Sequence, residues 1–133
     1  MIAGVADTHA ALWHLFDDAR LSVPAGDFID KAAAARNRIA VSSVSLAEIV
    51  YLIEKNRLPA SAYDDLKLAL ADLDHVLKEA PFTVEIVDAL RQVPRVAVPE
   101  MPDRIVAATA VYFGVPVISR DGRIRSSSVQ TVW

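Results

Sequence analysis

Short apolar runs alternate with stretches of helical spacing along this chain. Ile2–Ala6 is an apolar run that stops at Asp7-Thr8 and reads as a buried strand. His9 to Phe16 reads as a short helix, and Pro24 opens a second that runs through Arg36 with a long alanine stretch. Ile39–Ser42 is a second short strand. Ser45 starts a helix to about Asn56, with Leu46, Ile49, Val50 and Ile53 on one face. Pro59 and Ser61 open another, to about Glu79, striped by Leu66, Leu70, Leu73, Val76 and Leu77. Phe82–Glu85 reads as a third strand leading into a helix to about Gln92. Pro102 opens a helix that Gly114 closes, proline and glycine each at the end that suits it. Val115–Ser119 and Val129–Val132 are the last strands. This alternation predicts an α/β fold with a mainly parallel sheet covered on both faces.

Composition narrows the class. The chain has 133 residues and 14.4 kDa, the size of one domain spanning 1–133. Hydrophobic residues make up 53% and charged residues 23%, which excludes general disorder. There is no cysteine, hence no disulfide framework and no thiolate metal site, and three histidines alone argue against structural zinc. No apolar run approaches the ~20 residues of a membrane span, and the N-terminus lacks the basic start and cleavage site of a signal peptide. The expectation is a soluble, cytoplasmic domain. Net charge is −3, but unevenly spread: residues 1–90 carry 8 basic and 14 acidic groups, residues 91–133 carry 6 and 3. The six basic groups are all arginine, the better bidentate partner for phosphate. The same arginines also serve as an ordinary solvated surface.

Topology gathers the acids. In a parallel α/β sheet, strand C-termini and helix N-termini share one edge, where ligands bind. Asp7 follows the first strand, and Glu48 opens the helix after the second. Asp103 opens the Pro102 helix, which descends roughly 17 Å over its turns. The strand Val115–Ser119 climbs back roughly 17 Å, so Asp121 returns to the level of Asp103. Each acid also has a plain structural explanation. Asp7 caps a helix, Glu48 completes a Ser45-x-x-Glu48 capping box, Asp103 complements a helix dipole, and Asp121-Gly122 is a turn pair. Together at one edge they would repel and raise a pKa. A divalent cation with oxygen preference removes that conflict and can activate water for attack on a phosphodiester.

These pieces resemble the PIN domain, and more narrowly the VapC-type toxins of bacterial toxin–antitoxin pairs. The matching segments are VADTHAALW (5–13), SVSLAEIVYLIEKNRL (43–58), MPDRIVAATA (101–110), VPVISRDGRI (115–124) and VQTVW (129–133), in family order over nearly the whole chain. The resemblance implies a three-layer α/β/α sandwich with a mostly parallel sheet of four or five strands. It implies a metal-dependent endoribonuclease in which Asp7, Glu48, Asp103 and Asp121 are the catalytic, metal-binding quartet for Mg²⁺ or Mn²⁺. Thr8 and Ser119 match positions that shape that site. It also implies RNA as substrate, 5′-phosphate and 3′-hydroxyl products, a homodimer and a small VapB-like antitoxin.

Other features are weighed beside it. Arg104, Arg120, Arg123 and Arg125 are the candidates for holding an RNA backbone. His9 lies next to Thr8, where a base would sit, though a packed or surface role suits it better. Trp13 and Trp133 can stack on a base, or pack in a core or interface. The Tyr63–Leu77 helix, apolar on one face and acidic on the other, can pack on the core or form part of a groove for a partner helix. A phosphoryl-transfer domain also gathers strand-end aspartates, but the first strand lacks Asp-x-Asp. A dinucleotide fold would carry Gly-x-Gly-x-x-Gly, which does not occur. The alternative from another class is a non-catalytic binding module whose acids only cap helices.

Overall fold

The computed structural model describes residues 1–133. Strand β1 (Ile2–Ala6) lies at the centre of a five-stranded sheet. Beside it run β2 (Arg38–Ser42), β3 (Leu77–Ala80), β4 (Val117–Ile118) and β5 (Thr131–Val132), in the order β3-β2-β1-β4-β5, and every pairing is parallel. Ala6 pairs with Val41 on one side and Ile118 on the other, so β1, β2 and β4 end at one level.

Period-two alternation sends the strand side chains into two cores. Ala6, Ile39, Val41, Leu77 and Ile118 face one cluster; Val5, Ala40, Ala80 and Val117 face the other. The first is closed by α1 (Thr8–Leu15), α2 (Val23–Ala34), α3 (Ser43–Glu54) and α4 (Ser61–Ala71), through Leu12, Ile29, Ile49 and Leu66. The second is closed by α5 (Val84–Leu90), α6 (Met101–Phe113) and α7 (Gly122–Arg125), through Ile86, Val106 and Ile124. Fully burying each Ile or Leu of this kind contributes on the order of 2 kcal/mol. The result is the expected three-layer α/β/α sandwich, with five strands and all of them parallel. None of its helices is long and apolar enough to cross a membrane.

The chain steps outward from β1 to β2 to β3, then crosses back to β4 and β5 on the other side. That reversal leaves a crevice between the C-terminal ends of β1 and β4, the usual ligand position in an open α/β sheet. At the end of the sheet away from the crevice, α6 stops on Gly114, which takes the left-handed conformation (φ 67°) that a glycine accepts without strain.

Two expectations fail between residues 71 and 85. The fourth helix ends at Ala71 rather than near Glu79, and the third strand is Leu77–Ala80 rather than Phe82–Glu85. Leu66, Leu70, Leu73 and Leu77 keep helical spacing, but Asp72 takes an extended backbone (ψ 114°) and its carboxylate accepts from the Asp74 N–H at 2.9 Å. A side chain that bonds its own backbone competes with helix continuation. Leu73 is left 84% exposed, while Leu77 is buried in β3. The segment at 82–83 leads directly into α5. The short helix α7, read from sequence as a simple turn, is capped by Asp121.

Candidate active site

Each acid reaches the crevice from a different element. Asp7 directly follows β1 and is the N-cap of α1: Oδ1 accepts from the Ala10 N–H at 2.8 Å. Its Oδ2 accepts from the Ser119 hydroxyl at 2.5 Å, across 112 residues of sequence. Ser119 follows β4 and also accepts from the Asp121 N–H at 3.0 Å, so one buried hydroxyl ties two of the acid-bearing segments together. Asp121 caps α7, accepting from the Arg123 and Ile124 N–H groups at 2.8 and 3.2 Å.

Glu48 does not complete a capping box. The N-cap of α3 is Ser42, whose hydroxyl accepts from the Val44 N–H at 3.2 Å, so the helix starts a turn earlier than the Ser45 motif implies. Glu48 is thereby carried to the second turn, where Oε1 accepts from the Thr8 hydroxyl at 2.5 Å. Ser45, freed of capping, is buried with its hydroxyl unpartnered. Asp103 is the third residue of α6 and accepts no hydrogen bond from the chain. Capping therefore accounts for Asp7 and Asp121 and not for Glu48, while Asp103 stands in the first turn of α6, where it complements the helix dipole.

All four line one cleft of about 380 Å³, with Thr8, His9, Trp13, Arg20 and Arg120. The electrostatics follow. Asp103 is pushed up to about 6, first by burial and then by Asp121, Glu48, Asp7 and Glu100. Asp7 is raised by burial, against the Ser119 and Ala10 hydrogen bonds that lower it. Such crowding is the cost of holding acids together without a counter-charge. The donor set is all oxygen, which suits a hard divalent cation. No three acidic or imidazole groups are gathered closely enough in this arrangement to ligate one ion.

The candidate arginines divide. Arg120 lines the cleft. Arg104 is spent elsewhere, donating to the Val93 and Leu90 carbonyls at 2.7 and 3.2 Å. Arg123 lies 3.9 Å from Glu100 on the exposed surface, and Arg125 is exposed nearby. Sequence reasoning missed Arg20. It sits in the loop after α1, where no local motif marks it, and lines the cleft. Trp13 is only 6% exposed and packs at 5.8 Å against Trp133, so it is a wall of the site rather than an open platform for a base.

A switch-point cleft with four carboxylates on an all-parallel α/β/α sandwich defines the class to which PIN domains belong. The chain matches the model of the PIN domain over residues 5–128 and belongs to that family. It is 25% identical over 126 residues to ribonuclease VapC22 of Mycobacterium tuberculosis (strain ATCC 25618 / H37Rv), covering 95% of this chain and 92% of that protein. Among solved structures it resembles a chain of VapBC2 from Rickettsia felis bound to a DNA fragment from their promoter (TM-score 0.69, 16% identity, 98% and 97% of the two chains covered). It also resembles a chain of a toxin–antitoxin complex from Klebsiella pneumoniae (TM-score 0.62, 18% identity, 98% and 97% covered).

Proposed function

We propose that this protein is a metal-dependent endoribonuclease and the toxin of a toxin–antitoxin pair. One observation carries the catalytic reading: four carboxylates from separate elements meet in one cleft, and Asp103 among them has no partner within the chain. The ribonuclease relative and the toxin–antitoxin neighbours support the substrate class and the partner. In this reading Asp7, Glu48, Asp103 and Asp121 hold Mg²⁺ or Mn²⁺. The bound ion would supply a water of lowered pKa and neutralise charge at the phosphate. The Ser119 and Thr8 hydroxyls fix the rotamers of Asp7 and Glu48. Asp103, free of hydrogen bonds, is the carboxylate best able to move with the ion. The partners are RNA, a small VapB-like antitoxin and a second copy of the chain, and the location is the cytoplasm.

The test is cleavage of single-stranded RNA by EDTA-stripped protein, with and without Mn²⁺, beside Asp7→Asn. The expected result is cutting only with Mn²⁺, lost by at least a hundredfold in the variant. Equal cutting by both proteins would overturn the assignment of the site.

A further inference from the structure

Four side chains surround one indole of the cleft wall. The Arg20 and Arg120 guanidinium carbons lie 5.1 and 4.7 Å from the Trp13 ring centroid, with His9 and Trp133 against the same side chain at 5.5 and 5.8 Å. Both arginines line the acidic cleft, but they are not equivalent. Arg20 is tied to Asp18 by Nε and Nη2 at 3.1 and 2.7 Å, so its charge is answered within the chain. Arg120 makes no ion pair and donates no side-chain hydrogen bond, although four carboxylates share its cleft. It lies outside ion-pair distance of all four acids while sharing their cleft.

The backbone of Arg120 is held from both sides. Ser119 donates to Asp7 and accepts from the Asp121 N–H, so the residue between them is fixed relative to the acids. Contact with the indole face adds a second restraint and uses none of the five guanidinium donors. A fixed, exposed and unpaired guanidinium beside a cluster of carboxylates is suited to an anion that approaches those carboxylates.

We propose that Arg120, braced on Trp13, grips an RNA phosphate next to the scissile one and is the principal cationic anchor of the cleft, with Trp13 as its positioning residue. The proposal rests on the nuclease reading above and adds to it which cation holds the strand. Because Arg120 stands apart from the acids, its grip is the same before and during the reaction, and its loss acts on KM rather than kcat.

The test uses Mn²⁺-loaded protein and a fluorophore–quencher single-stranded oligouridine RNA. Arg120→Ala is expected to raise KM about tenfold with kcat within about twofold. It should also reduce the slope of log affinity against log salt by about 0.7, one single-strand phosphate contact. Arg120→Lys keeps the charge but not the fork, and should recover less than half of the lost affinity on a logarithmic scale. Arg20→Ala should leave the salt slope unchanged. Wild-type KM and salt slope in Arg120→Ala, beside an active wild type, would overturn this proposal and leave the nuclease reading standing. An equal change of slope in Arg20→Ala would also overturn it. Failure of the wild-type protein itself to cut or bind the RNA would overturn the nuclease reading, and this inference with it.

Discussion

At the scale of the residue, Asp103 is the informative group. Its carboxyl is raised from 3.8 to about 6, so the folded chain takes up its proton more readily than the unfolded one. The associated stability is complete below about pH 4 and is lost as pH rises through about 6. His14 works the other way. Burial lowers it from 6.5, so the fold gains stability as that histidine loses its proton with rising pH. Asp18, lowered to about 2, contributes stability that is present above about pH 4 and is lost as pH falls towards 2. Subtracting Asp103→Asn from wild type isolates Asp103. In EDTA, denaturant titrations should find the variant about 1–2 kcal/mol more stable at pH 7, after allowance for solvent screening. The advantage should vanish by pH 4. Ser119→Ala should do the opposite. It leaves Asp7 with one donor fewer and the Asp121 N–H without its acceptor, and should cost about 1–3 kcal/mol at pH 7.

At the scale of the element, helix starts and stops decide what reaches the cleft. The Ser45-x-x-Glu48 spacing points to Ser45 as the cap of α3, and period alone does not fix where the helix begins. The structure chooses Ser42, because β2 ends there and the helix must begin at once. Ser42→Ala should therefore cost about 1 kcal/mol. Ser45→Ala removes a buried hydroxyl that has no partner and should be neutral or stabilising; equal losses from both would restore the Ser45 cap. Arg104 shows the limit of reading charge from sequence. It sits beside Asp103 and looks like a phosphate contact, yet its guanidinium holds the Leu90 carbonyl at the end of α5 and the Val93 carbonyl just beyond it. Arg104→Ala should lower thermal stability, with a cost of about 1–3 kcal/mol, and leave the salt dependence of RNA binding unchanged. The boundary of α4 was hidden for a related reason: leucines at helical spacing continue past Asp72, and only the local Asx turn ends the helix.

At the scale of the whole molecule, most of the architecture was legible because parallel sheets leave plain marks. Strands buried on both faces are continuous apolar runs, and the first, second and fourth strands stand where such runs stand. Leu77–Ala80, with Lys78 and Glu79 exposed at the sheet edge, carries no such run and was misplaced. The acids were legible because topology alone returns them to one edge. Arg20 was not, since a loop's path depends on what it packs against rather than on its own pattern. What the fold achieves as a unit is to bring mutually repelling carboxylates together on strands and helices that are anchored by two cores.

That repulsion is also where the account is most exposed to test. Thermal unfolding of wild type and Asp103→Asn at pH 7 should be followed in EDTA and again in millimolar Mn²⁺. The account predicts a crossing. Without metal the variant melts higher, because a carboxylate under repulsion has been removed; with Mn²⁺ the wild type gains several degrees through ligand linkage while the variant gains far less. Equal gains in both proteins, or none in either, would contradict the claim that these four acids are held together to receive a cation.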